Sequence, residues 1–137
     1  MNQKTISSET RRWMMVDDDP DMLRMMRLVV GMFTTAVVEC HESPAAALAA
    51  FAADTSGYEL VITDLEMPEM DGAELCRRLH EIVPEQRVVL VTGSGAFDGL
   101  SARRAGFSAL LEKPFPLDAL HGVLALAGFE NERAVAV

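Results

Sequence analysis

Asp64 closes the apolar run Leu60-Val61-Ile62-Thr63, and the segment Leu65-Glu66-Met67-Pro68-Glu69-Met70-Asp71-Gly72 follows at once. A short continuous run rich in β-branched residues predicts a strand buried on both faces of a parallel sheet. A carboxylate at its C-terminal end is placed for chemistry, because ligands of open α/β sheets gather just beyond the carboxyl ends of the strands. A turn-forming acid would occupy the same position, so the other strand ends must decide. Trp13-Met14-Met15-Val16 runs into Asp17-Asp18-Asp19-Pro20. Asp19 suits a helix N-cap and Pro20 the first helical position, which leaves Asp17 and Asp18 without a capping role. Val88-Val89-Leu90-Val91 stops at Thr92, and Ala109-Leu110-Leu111 stops before Glu112-Lys113-Pro114. If the sheet sets these ends side by side, crowded carboxylates must either take up protons or hold a divalent cation. Oxygen-only ligands favour a hard ion, with Mg²⁺ the first choice.

The elements that would position these groups are readable in outline. Met22, Met25, Met26, Val29 and Phe33 recur at helical spacing and predict a helix to about Thr34, with the methionines as adaptable core filling. Ala36 to Cys40 is a second strand. Ser43 then caps a helix opened by Pro44 and continued by the small residues Ala45 to Ala53. Gly72 to Val83 reads as a third helix ended by Pro84. Gly93-Ser94-Gly95 lacks the spacing of a dinucleotide loop and reads as a mobile link into a helix over Ala96 to Ala105. Leu117, Leu120 and Leu124 mark a last helix, frayed by the tail from Gly128 to Val137. Five strands alternating with five helices predict a parallel sheet covered on both faces.

The chain has 137 residues, half of them apolar, which fits one globular domain. A net charge of −9 argues against direct nucleic-acid contact and against attraction to anionic membrane. No apolar run reaches the length of a membrane span, and Met1 to Arg12 is polar, so a cytoplasmic location is expected. Cys40 and Cys76 match no metal spacing and are expected as reduced thiols. His41, His80 and His121 form no ligand pair.

Taken together, Val16-Asp17-Asp18, Ile62-Thr63-Asp64, Met67-Pro68-Glu69-Met70-Asp71-Gly72, Val91-Thr92 and Lys113-Pro114-Phe115 resemble the receiver domain of bacterial response regulators. Five motifs in that family's order make the likeness specific. It covers about Arg12 to Gly128, so the expected organisation is a polar tail over 1–11, a receiver over 12–128 and a C-terminal tail over 129–137. The resemblance implies an α/β fold of the flavodoxin-like, doubly wound type, with five parallel strands in the order 2-1-3-4-5. It implies Asp64 as the phosphoacceptor, and Mg²⁺ held by Asp18, Asp64 and the Glu66 carbonyl, with Asp17 acting mostly through water. Thr92 would donate to a phosphoryl oxygen, Lys113 would supply positive charge, and Lys113-Pro114 would be cis. The implied partners are a sensor histidine kinase or histidine phosphotransfer protein upstream and a protein effector downstream, with the chain a monomer or weak dimer. Such a module is not a turnover enzyme but catalyses its own phosphorylation and dephosphorylation.

Some positions depart from the family pattern. Leu110 stands where many relatives carry a switching aromatic, and Gly93 where alanine is usual. Phe97, Leu110, Leu117 and His121 are the expected signalling surface. Two other readings use similar residues. A haloacid-dehalogenase-type aspartyl phosphohydrolase needs an Asp two positions after the nucleophile, where this chain has Glu66. Flavin binding needs a phosphate loop after the first strand, where this chain has acids.

Overall fold

A computed structural model of the chain describes residues 11–55 and 57–133. The strands are β1 (Arg12–Val16), β2 (Val37–His41), β3 (Tyr58–Asp64), β4 (Val88–Thr92) and β5 (Ala109–Glu112). They form one parallel sheet in the order β2-β1-β3-β4-β5. The helices among the described residues are α1 (Pro20–Gly31), α2 (Pro44–Ala53), α3 (Gly72–Ile82), α4 (Gly99–Arg104) and α5 (Leu117–Leu126). The predicted α/β doubly wound architecture and its strand order are therefore observed.

Two apolar layers explain why the strands read as unbroken apolar runs. On one face Trp13, Met15, Leu60, Ile62, Val89 and Val91 pack with Leu23, Met26 and Val30 of α1 and Leu120 and Leu124 of α5. On the other, Met14, Val16, Val61, Val88 and Leu90 pack with Phe51 of α2, Leu75 and Leu79 of α3 and Ala102 of α4. Successive strand side chains point to opposite faces, so a strand covered on both sides must be apolar at every position.

Helix entries follow local chemistry. Asp19 accepts a hydrogen bond from the Asp21 N–H, Ser43 from Ala46 and Asp71 from Glu74, each satisfying a donor that the first turn leaves open. Three boundaries differ from expectation. α1 stops at Gly31, short of Thr34, because the Thr34 hydroxyl turns to accept from the Ala36 N–H and to donate to Glu132. α4 begins at Gly99 instead of Ala96, where Asp98 and Ser101 cap each other reciprocally. Of the tail expected to fray from Gly128 to Val137, the described part folds back, with Phe129 edge-on to Trp13 and the Glu132 N–H donating to the Phe33 carbonyl, while residues 134–137, like 1–10 of the expected polar tail, lie outside the described residues.

The buried residues of α1 are Leu23, Met26 and Val30, and Phe33 is buried just beyond its end. Met26 and Phe33 match the expected stripe, Met22 and Val29 pack part-buried against the same core, and Leu23 and Val30 lie outside the expected stripe. Met25 and Met32 are 42% and 53% exposed, so they are not core filling. His121 lies against Phe33 with ring centroids 5.2 Å apart, on the α1 side. Phe97 and Leu110 pack on the opposite layer. No helix among the described residues is long and apolar enough to cross a membrane.

Candidate phosphoacceptor and metal site

The register of the sheet carries four sequence-predicted side chains to one edge. Val16 pairs with Thr63, so Asp17 follows β1 beside Asp64, the last residue of β3. Asp64 pairs with Val91, and Thr92 with Glu112, which brings Thr92 and Lys113 to the same level. The Lys113 N–H donates to the Thr92 carbonyl at 2.9 Å, and the Lys113–Pro114 bond is cis.

Asp17, Asp18 and Asp64 offer carboxylate oxygens that all lie within 4.8 Å of one another. Lys113 Nζ stands 3.2 Å from Asp64 Oδ1 and 3.6 Å from Asp17 Oδ2. It is one of two lysines in a chain whose other ten strong bases are arginines. An ammonium on a flexible stem can follow a ligand as a point charge, whereas an arginine fork would lock onto one carboxylate. Asp17 and Asp64 side chains are only 9% and 11% exposed, while Asp18 is open to solvent. Burial pushes the Asp17 carboxyl above its ordinary range, opposed by the Asp19 N–H at 2.9 Å and reinforced by Asp64. Three carboxylates therefore share one cation. That imbalance and the all-oxygen donor set fit a divalent ion.

Asp64 is held by the backbone of the following turn. The Gly72 N–H donates to the Leu65 carbonyl at 2.7 Å, which brings the start of α3 against the end of β3. A Cβ at Gly72 would stand 2.2 Å from the Asp64 carbonyl oxygen, so only glycine permits this approach. Glu69, within the turn, holds φ at 75°. The Asp64 Oδ2 atom receives no hydrogen bond among the described residues and is not sealed from solvent.

Of the other predicted residues, the Glu66 side chain is exposed and stands outside the carboxylate cluster. Thr92 is buried, and its hydroxyl donates to Ser94 Oγ at 3.2 Å. Ser94 is not among the sequence-predicted residues, although a hydroxyl two residues after Thr92 is a signal the sequence carries. Gly93 is open enough for alanine, since a Cβ would meet Lys113 Cβ at an ordinary 3.6 Å.

A family model described as the response regulator receiver domain matches residues 14–125. The chain belongs to that family, the phosphoaccepting modules of two-component signalling. It is 33% identical over 119 residues to the response regulator receiver protein CpdR of Brucella abortus, covering 78% of this chain and 88% of that protein. It is 35% identical over 108 residues to the C4-dicarboxylate transport transcriptional regulatory protein DctD of Pseudomonas aeruginosa, covering 78% of this chain. The chain spans 23% of DctD and 26% of the Escherichia coli regulator GlrR. The crystal structure of FixJ-N superposes with a TM-score of 0.72 at 30% identity, covering 93% of this chain and 98% of that one. Membership in a family of self-phosphorylating signalling modules leaves the haloacid-dehalogenase and flavin readings without support.

Proposed function

We propose that Asp64 is the phosphoacceptor, taking a phosphoryl group from a phosphohistidine on a sensor kinase or phosphotransfer protein. An Asp64 carboxylate oxygen attacks phosphorus in line, the P–N bond breaks, and its electron pair returns to the donor imidazole, which is then protonated. The observation that carries the reading is the trio Asp17, Asp18 and Asp64 gathered within 4.8 Å, with Lys113 Nζ 3.2 Å from Asp64 Oδ1.

Charge on the equatorial oxygens is the main demand of phosphoryl transfer, so positioning and electrostatics are what the protein contributes. Asp17, Asp18, Asp64 and the Glu66 carbonyl would hold Mg²⁺, which when bound offsets negative charge between the carboxylates and the phosphoryl oxygens. Lys113 supplies a second positive charge, and its Nζ already stands 3.2 Å from Asp64 Oδ1. Thr92 donates its hydroxyl proton to one phosphoryl oxygen. Its movement toward the phosphate is the local change that a downstream protein effector would read. The acidic chain acts through protein contacts in the cytoplasm and not by touching nucleic acid itself.

Incubation of the full chain with acetyl phosphate and Mg²⁺, followed by intact mass, tests the reading. One phosphate adduct is expected, absent with a chelator and mapped to Asp64 by borohydride reduction and peptide analysis. An adduct on another residue, or none, overturns the assignment.

A further inference from the structure

The Thr92 hydroxyl has one proton to give. It gives that proton to Ser94 Oγ at 3.2 Å and accepts in turn from the Ser94 N–H at 3.1 Å. Ser94 Oγ is itself fixed by the Ala96 N–H, also at 3.1 Å. Three hydrogen bonds thus tie buried Thr92 to the exposed loop after β4, and none of them runs to Asp64. A phosphoryl oxygen on Asp64 requires the same Thr92 proton that Ser94 now holds.

We infer that Ser94 is a positioning residue, a latch that keeps the Thr92 hydroxyl committed to the loop until a phosphoryl group takes its proton. This rests on the phosphoacceptor reading above. The latch is built to lose that competition. At 3.2 Å it is longer than the roughly 2.7–2.8 Å usual for such bonds, and both its groups are neutral. A phosphoryl oxygen is an ionised acceptor and binds a hydroxyl proton more strongly. Ser94 is exposed, so its oxygen turns to water once Thr92 leaves. Gly93 and Gly95, the latter at φ 74°, flank it and leave the loop free to follow.

The latch lowers the fraction of molecules with a free Thr92 proton, and apparent affinity for a phosphoryl mimic falls by that fraction. Ser94→Ala removes the acceptor but keeps the N–H that supports Thr92 Oγ1. The full chain is titrated with beryllofluoride at saturating Mg²⁺ and followed by amide resonances. Ser94→Ala is expected to tighten the apparent Kd by about three- to tenfold, the effect of one neutral hydrogen bond. Ser94→Thr, which restores the oxygen, returns it toward the parent, and affinity for Mg²⁺ alone stays the same in all three. In a Thr92→Val background, Ser94→Ala changes nothing, because no proton is left to hold. A parent that binds beryllofluoride while Ser94→Ala binds no tighter overturns the latch alone. So does a gain that persists without the Thr92 hydroxyl, or Ser94→Thr behaving as Ser94→Ala. A parent that takes up no beryllofluoride overturns the phosphoacceptor reading and the latch together.

Discussion

The two ends of the sheet treat charge in opposite ways. At the amino ends of the strands every acid named here is matched. Arg11 donates to both Glu59 oxygens, at 2.8 and 3.0 Å, and pairs with Glu132 at 2.5 Å, while Trp13 Nε1 donates to Glu59 at 3.1 Å. Glu132 Oε1 also accepts from the Thr34 hydroxyl and from the Thr35 N–H and hydroxyl. Phe129 packs edge-on against Trp13, and Arg87 lies over the Phe129 ring. At the carboxyl ends, among the described residues, three carboxylates crowd around a single lysine. Matched charge holds the fold together, and unmatched charge stores an affinity for a cation and for a reaction that rearranges it.

The largest expected effect separates the two ends outright. Asp64→Asn should abolish uptake from acetyl phosphate by intact mass, yet melt no lower than the parent, because it removes a charge from a crowd. Glu132→Ala should do the reverse. It strips three hydrogen bonds and an ion pair from a half-buried end, which costs about 2 kcal/mol by thermal or urea melting. Its phosphate uptake should stay within about twofold of the parent. Loss of uptake in Glu132→Ala, with the fold intact, would show that the two ends are coupled.

The active end was legible in the sequence and the matched end was not, for physical reasons. Asp17, Asp64 and Thr92 each close an apolar run and Lys113 follows one by a single residue, and run ends are visible in one dimension. Sheet register then turns equal run ends into neighbours. The clasp of Arg11, Glu59 and Glu132 joins side chains from the start, middle and end of the chain with no local periodicity to announce it. α1 is apolar on more than one side, so spacing alone could not choose between Met25, which is exposed, and Leu23, which is buried. The Thr92–Ser94 bond depends on where one hydroxyl proton points, and the approach of Gly72 to Asp64 on a folded turn.

Asp17→Asn sharpens the comparison at a smaller scale. The amide oxygen can still accept from the Asp19 N–H, while the charge that burial and Asp64 disfavour is gone. Stability without Mg²⁺ should rise by about 1 kcal/mol, and the further rise in Tm on adding Mg²⁺ should shrink. Acid should also act oppositely on the two ends. Burial alone would raise the Glu132 pKa, but the Thr35 N–H, the Thr34 hydroxyl and Arg11 outweigh it and hold it at about 2. A depressed folded value gives stability that is present above the ordinary glutamate range and lost as pH falls toward about 2. Asp17, raised in the fold, gives the opposite slope, with stability recovered as pH falls through its raised value. In melts from neutral pH downward, the deficit of Glu132→Gln against the parent should close between about pH 4.3 and pH 2, where the parent loses the same interaction. The advantage of Asp17→Asn should narrow as pH falls through the raised value of Asp17 toward its ordinary range.

The smallest effect concerns backbone strain, which is also unevenly placed. Among the described residues Glu69 alone, apart from glycines, holds a positive φ, and it sits in the turn between Asp64 and α3. A side chain in the left-handed region costs about 1 kcal/mol, because Cβ crowds the following carbonyl. Glycine would relieve that crowding, but it also widens the unfolded ensemble by a comparable amount. Glu69 is exposed, so little packing is lost with its side chain. The two terms nearly cancel, and Glu69→Gly should change stability by no more than about 0.5 kcal/mol in either direction. Its phosphate uptake should match the parent, because the Gly72 N–H to Leu65 bond that seats Asp64 lies on the other side of the turn. A gain above about 1 kcal/mol accompanied by slower uptake would mean that the strain at Glu69 is transmitted to Asp64, and that the carboxyl end stores conformational as well as electrostatic energy.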